Sequence, residues 1–230
     1  LKKQTKETQL FFEAGQTREG DGEVLHGGLN TGFELGDNGF LNLSVEYRDR
    51  GETNRAGPDT LRVSPPRVTQ RIGDADSTDA YLWLNGGIGL GAGELYWFGG
   101  LSRREGDSSG FFRSAGDGRT VPALYPNGFL PNIITTVDDG SLAVGYRAPL
   151  SDTWDWDVSI NHGRSRFGFH ERNSVNVSWW YEPLGAGIHG ASPTSADTGT
   201  LKFDQTTVNL DVRGSLDFGG SEPLSLAVGG

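Results

Sequence analysis

Residues 153–163 read T-W-D-W-D-V-S-I-N-H-G. Trp154, Trp156, Val158, Ile160 and His162 share one parity, and Asp155, Asp157, Ser159, Asn161 and Gly163 share the other. Side chains alternate faces along a strand, so one face is apolar and the other acidic and polar. A soluble sandwich and a membrane barrel both alternate in this way. The surrounding chain has to decide between them.

The same alternation recurs throughout. Leu29, Thr31, Phe33 and Leu35 oppose Asn30, Gly32 and Glu34; Leu41, Leu43, Val45 and Tyr47 oppose Asn42, Ser44, Glu46 and Arg48. Further on, Leu82 and Leu84 oppose Tyr81 and Trp83, Leu142 and Val144 oppose Ala143 and Gly145, and Val208, Leu210 and Val212 oppose Asn209, Asp211 and Arg213. Residues 8–18 and 94–104 also read as strands, with a less definite phase. The period predicts about nine antiparallel strands and no amphipathic helix.

The connections carry more information. Asp37-Asn38-Gly39, Gly91-Ala92-Gly93, 149–152 and 219–223 are short, the first with an Asn-Gly turn signal. Between them lie long polar stretches at roughly 51–76, 106–137 and 167–202. Compact soluble domains rarely keep several such loops, whereas outer-membrane barrels have short periplasmic turns and long external loops. The connection at Gly20-Asp21-Gly22 belongs with the long set by parity, although it is short.

Composition sets outer limits. The 230-residue chain has 36 Gly, no Cys, no Met and a formal net charge of −10. No basic stripe is present for nucleic-acid phosphates, and no thiol is available for disulfides or zinc. No apolar run reaches the ~20 residues of a membrane-spanning helix, but a barrel strand needs only ~9–11, with every second one apolar. The chain opens at Leu1 and its last residues, Leu226-Ala227-Val228-Gly229-Gly230, read as a strand. Both features suggest a segment of a longer polypeptide.

Gly39-Phe40-Leu41-Asn42-Leu43-Ser44-Val45-Glu46-Tyr47-Arg48-Asp49-Arg50, followed by Thr53-Asn54-Arg55-Ala56-Gly57, resembles an early barrel hairpin of TonB-dependent outer-membrane receptors. Leu124-Tyr125-Pro126-Asn127-Gly128-Phe129-Leu130-Pro131 is similar to an external-loop motif of one large subgroup. Asn173-Ser174-Val175-Asn176, Ser192-Pro193-Thr194, and Phe203-Asp204-Gln205 leading into Leu210-Asp211-Val212-Arg213 resemble a later loop and strand of the same subgroup.

The resemblance implies a plug domain inside a barrel of roughly 22 strands. Residues 1–230 would then be the first part of the barrel after the plug, an all-β, antiparallel up-and-down transmembrane segment with two open edges, lacking the plug and the remaining strands. It further implies a bacterial outer-membrane location and active uptake of a scarce large solute, with a ferric siderophore expected first and an oligosaccharide or cobalamin next. The implied partners are outer-membrane lipid, the plug and the TonB energy-coupling complex, with no cofactor and no covalent chemistry. Two other readings stay open: a passive porin-like barrel, and a soluble extracellular carbohydrate-binding β protein whose apolar faces meet in a core.

In the transport reading Leu41, Leu43, Val45, Trp154, Trp156, Val158, Ile160, Val208, Leu210 and Val212 face lipid. Glu46, Arg48, Asp155, Asp157, Asp211 and Arg213 face the lumen. The two tryptophans follow a short turn, where an interfacial aromatic belt belongs. Trp179, Trp180 and Tyr181 in the last long loop, with Arg113 and Tyr125 in the preceding one, are the candidate ligand contacts, because exposed aromatics grip flat ligands. The esterase-like pattern Gly106-Asp107-Ser108-Ser109-Gly110 is expected to be a solvated loop, since no helix follows to form a nucleophile elbow. Asp74-Ala75-Asp76 lacks the rest of a calcium loop, and no histidine pair has metal-ligand spacing.

Overall fold

The structure, a computed structural model, describes residues 6–185, 187–219 and 222–230. Its strands are β1 (Thr8–Gly15), β2 (Val24–Leu35), β3 (Gly39–Arg50), β4 (Asp76–Leu90), β5 (Gly93–Ser109), β6 (Asn132–Ser151) and β7 (Trp154–Arg172). Then come a single-turn helix α1 (Val177–Trp180), a small hairpin of β8 (Pro183–Leu184) and β9 (Gly187–Ile188), and the long strands β10 (Ala196–Leu216) and β11 (Leu224–Gly229). All strands except the hairpin form one nine-stranded sheet whose spatial order is the chain order. Every neighbouring pair is antiparallel. Among the described residues no helix is long and apolar enough to cross a membrane, which says nothing of a β-barrel. The sheet is open, with β1 and β11 as its edges.

Turn chemistry explains the short end. Gly91 has φ +60° and opens a two-residue turn between Leu90 and Gly93, a left-handed position that glycine takes without a Cβ penalty. The first short turn differs from its sequence reading. Leu35 pairs with Gly39, and the left-handed residue is Gly36, φ +61°, so the Asn38-Gly39 pair does not form the turn's centre.

At the other end the strands run further than the apolar alternation suggests. The long connections are 51–75, 110–131 and 173–195. Residues 106–109, expected in a loop, continue β5 and pair with 132–135 of β6. Ladder hydrogen bonds come from the backbone, so pairing outlasts the apolar pattern where polar side chains fit both neighbours.

The register divides every side chain between two faces. Leu43, Leu84, Leu82, Val45, Trp97, Val144, Ile160 and Val208 fall on one face, and Asn42, Asn85, Glu46, Tyr81, Ser102 and Asp139 on the other. The ten residues expected to face lipid all lie on the apolar face, and the six expected to face a lumen all lie on the polar one. Trp154, just after the short turn at 152–153, covers Gly214 on β10, where an added Cβ would run into the indole. Trp156 and Tyr146 follow on the same face, with ring centroids 5.6 Å apart.

Burial is inverted relative to a soluble sheet. On the polar face Asp79 is 0% exposed, Asn42 2% and Asn85 3%, while on the apolar face Val208 is 63% and Leu101 62% exposed. Asn30 Nδ2 donates to Asn42 Oδ1 at 2.6 Å and to Ser44 Oγ at 2.7 Å, so the polar face satisfies itself. On the polar face long side chains and their cross-strand hydrogen bonds cover one another, which accounts for the asymmetry. The apolar face has no covering layer among the described residues.

Candidate functional site

The buried hydrophobic residues among those described are Phe112, Val121, Phe129 and Ala143, and the first three belong to the 110–131 loop. The long loops are therefore folded on one another. The β1–β2 turn joins them through Asp21, whose carboxylate takes the Arg55 guanidinium at 2.6 and 2.9 Å. Arg62 and Arg67 lie 5.7 and 5.9 Å from the Phe112 ring centre, and Arg67 also donates to the Asn127 carbonyl at 2.5 Å. Tyr125 stacks on Phe129 at 4.3 Å and its hydroxyl donates to the Ser174 carbonyl at 2.9 Å. Asn173 Nδ2 reaches the Leu130 carbonyl at 2.6 Å. Three loops thus lock together through side chain–backbone bonds.

Within the last loop, the Asn176 side chain accepts from the Trp179 amide at 2.9 Å and caps α1. Trp179 Nε1 donates to His189 Nε2 at 3.1 Å, which fixes the indole against the hairpin side of the loop. One face of Trp179, which is 47% exposed, lines a cavity of about 640 Å³ with Arg119, Glu171, Ser174, Asn176 and Thr198. Arg119 is held by Asp117, with nitrogen–oxygen distances of 2.9 and 2.8 Å. That pairing and the Arg119 amide hold the Asp117 carboxyl well below the usual carboxylate range. An aromatic plate, a fixed guanidinium, a carboxylate and hydroxyl or amide groups suit a flat, polar or anionic ligand.

The sequence-predicted contacts separate here. Trp179 lines the cavity. Trp180 is half-buried, its carbonyl accepts from the Gly190 amide at 3.0 Å, and it does not line the cavity. Tyr181 is exposed and also lies outside the lining. Tyr125 ties two loops, and Arg113 forms a backbone bridge with Phe129. Neither of them lines this cavity. Arg119, Glu171 and Thr198 carried no signal in sequence; Arg119 sits in a Gly/Asp-rich turn that reads as loop solvation.

On the polar face of the sheet, Glu94, Arg147, Tyr96 and Asp157 form a chain near the short-turn end. Arg147 Nε donates to Glu94 at 2.9 Å, its guanidinium lies 5.5 Å from the Tyr96 ring centre, and the Tyr96 hydroxyl donates to Asp157 at 2.6 Å. Asp211 stands directly opposite Asp157, and Arg213 opposite Asp155. Higher up, Glu46, Tyr81, Trp83, Ser102, Asp139 and Ser141 line a groove of about 440 Å³. Trp83 lies on Gly100, whose added Cβ would meet the indole at 2.5 Å. No group of three or more His, Cys, Asp or Glu among the described residues is placed to hold a metal ion. Ser108, in the esterase-like pattern, donates its hydroxyl to the Ile133 carbonyl at 3.0 Å, within a strand that leads into no helix.

Compared with known proteins, the chain matches no family model, no curated protein and no solved structure.

The loop cluster has a defined response to acid. Asp59 accepts from the amides of Leu61 and Arg62, each at 3.0 Å, from Arg62 Nε at 2.6 Å and from the Thr69 hydroxyl at 3.0 Å. These donors, the Arg62 amide foremost, pull its carboxyl down to about 2. A depressed folded value stabilises the loop above the unfolded value of ~3.9 and loses that contribution as pH falls toward the folded one. Amide exchange in residues 59–69 is therefore expected to stay slow at pH 5 and to accelerate, relative to the sheet, only as pH falls below about 4. Loop opening already at pH 5 would contradict the assignment.

Proposed function

We propose that the chain is part of the wall and external loops of a TonB-dependent outer-membrane transporter. One observation carries this reading: the polar face is the shielded one and the apolar face is bare. The bare band runs across the sheet and along β7 from Trp154 to His162. With strands ~4.8 Å apart and ~3.3 Å per residue, its area is on the order of 1,000 Å². Soluble monomers rarely expose contiguous apolar patches beyond a few hundred Å². At ~25 cal/mol per Å², leaving such a band in water costs on the order of 10 kcal/mol or more, comparable with a whole domain's stability. Lipid removes that cost.

The loop asymmetry supports the orientation. Turns at 36–38, 91–92 and 152–153 lie at one end, and the folded loops 51–75, 110–131 and 173–195 at the other. In an outer-membrane barrel the first end is periplasmic and the second external. The motifs at 39–57, 124–131 and 173–213 that resemble the TonB-dependent family select active transport over passive diffusion. The further barrel strands that the family implies would pair with β1 and β11, since lipid tolerates no open edge. The transported solute is large and scarce, a ferric siderophore first, with an oligosaccharide or cobalamin as the other candidates. External loops capture it, with Trp179 and Arg119 as contacts.

The test is uptake by cells expressing the full-length protein. Uptake of the cognate solute is expected to stop when the proton-motive force is dissipated and to saturate at low solute concentration. Trp179→Ala is expected to raise the half-saturation concentration roughly fivefold to thirtyfold, the ~1–2 kcal/mol of one aromatic contact, with little change in maximal rate. Uptake that survives an uncoupler and rises linearly with concentration would instead mark a passive barrel.

A further inference from the structure

Two separate contacts hold Trp179 in the last long loop. Asn176 accepts the Trp179 amide at 2.9 Å and sets the backbone at the start of α1. The indole is set by His189, which follows β9. The imidazole stands edge-on to the indole, with 5.8 Å between ring centroids and 74° between planes. Trp179 Nε1 lies 3.1 Å from His189 Nε2. The cap fixes where the side chain starts, and the imidazole fixes where the ring points. Loss of the second contact frees the indole to change rotamer without disturbing the helical turn.

An indole nitrogen can only donate, so His189 Nε2 must accept, and the ring proton sits on Nδ1. Nδ1 is buried and has no hydrogen-bond partner among the described residues. Both nitrogens are therefore arranged for the neutral imidazole. An added proton would turn Nε2 into a donor facing another donor, and the buried Nδ1 would have no acceptor to share the charge. Histidine is the side chain whose charge ordinarily changes between about pH 5 and 8. The titratable groups on the surrounding segments are Tyr181 and Glu182, before the hairpin, and Arg119 and Glu171, which line the cavity beside Trp179. Glu182 meets His189 through the backbone, its carbonyl accepting the His189 amide at 2.7 Å, and its carboxylate makes no hydrogen bond to the ring.

We propose that His189 is the positioning residue of the loop cavity and works only as a neutral imidazole: neutral medium keeps Trp179 over the cavity, and acid frees the indole and loosens the flat ligand it contacts. The inference rests on the reading of Trp179 as a ligand contact. Protonation breaks the Trp179–His189 bond, and the aromatic plate leaves the cavity. The guanidinium stays, because Asp117 holds Arg119 at 2.9 and 2.8 Å independently of the histidine. Acid therefore weakens the aromatic half of the grip and not the ionic half. Glu171 acts in the opposite sense on an anionic ligand, since protonating a carboxylate in the lining favours an anion beside it. A loss of affinity in acid thus points to the histidine.

The test uses the full-length protein in neutral detergent with 5-fluorotryptophan incorporated, the Trp179 fluorine signal being identified by its loss in Trp179→Phe. In the wild type that signal is expected to move in a single step between about pH 7.5 and about pH 5. His189→Gln, whose amide oxygen accepts the indole N–H at any pH, is expected to hold it at the neutral position throughout. His189→Phe, with no acceptor, is expected to hold it at the acid position. Binding of 2-naphthoate, a flat anion, is followed by NMR titration on the same samples. Wild type is expected to bind it about fivefold more weakly at the lower pH, the worth of one aromatic contact, and His189→Gln equally at both. A fluorine signal that does not titrate in the wild type, or that titrates unchanged in His189→Gln, would overturn the proposal. A titrating signal with no binding of 2-naphthoate at either pH would uphold the positioning role and overturn the ligand contact on which it rests.

Discussion

Leu210→Arg is expected to destabilise the folded protein in bilayers by ~2–4 kcal/mol, the cost of a cation near the midplane on the lipid face of a barrel. Leu210 lies between Val208 and Val212 on β10, opposite Val158, and is 52% exposed. On a soluble protein, a residue that exposed tolerates Arg to within about 0.5 kcal/mol. The two environments therefore differ by an effect large enough to measure in a urea titration of protein folded into vesicles. Asn209→Arg, one residue away on the polar face, is the control, and a shift of less than about 1 kcal/mol is expected there. If both substitutions shift the transition equally, or neither does, the apolar face does not meet hydrocarbon.

Parity was enough to sort side chains between faces. Trp154, Val158 and Leu210 separate from Asp155, Asp157 and Asp211 by counting, because a strand's side-chain period is two. Parity could not say which face is shielded, since both solutions satisfy the same alternation; the burial of Asp79, Asn42 and Asn85, with no second layer over the apolar face among the described residues, decides that. Strand ends escaped the sequence for another reason. Thr136, Gly168 and Thr200 pair across β6, β7 and β10 in a row where no apolar residue marks the period. The candidate site was the least legible part. Phe112, Val121 and Phe129 bury themselves in a loop punctuated by Gly and Pro, with no period to announce a core. Trp179 was visible as an exposed aromatic, but Arg119 and Glu171 reach the same cavity from separate segments, and only folding of the loops onto one another brings them together.

The polar face gives the second large effect. Asp79 is fully buried, accepts from Arg104 Nε at 2.5 Å and Nη2 at 3.3 Å, and takes the Tyr81 hydroxyl at 3.0 Å. Register also sets it directly opposite Arg48, so it is the one carboxylate in a row between two guanidiniums. Asp79→Ala removes the anion and leaves both cations and the phenol to find other partners. Breaking a fully buried pair costs ~3–5 kcal/mol. The Arg104 side chain is 52% exposed, so solvent can recover part of its charge, and the expected cost falls to about 2–3 kcal/mol. Arg104→Gln should cost less, because Asp79 keeps the tyrosine hydroxyl and the nearby Arg48. The double variant should then be more stable than the sum of the singles implies, by about 1 kcal/mol, because its two losses share one interaction. Asp79→Asn separates charge from shape: it keeps the tyrosine bond and the packing while losing the ion pair, and its stability should fall between wild type and Asp79→Ala. Should Asp79→Ala unfold within about 0.5 kcal/mol of wild type, water would be replacing the carboxylate at no net cost, and the polar face would be a hydrated wall rather than a self-satisfied one.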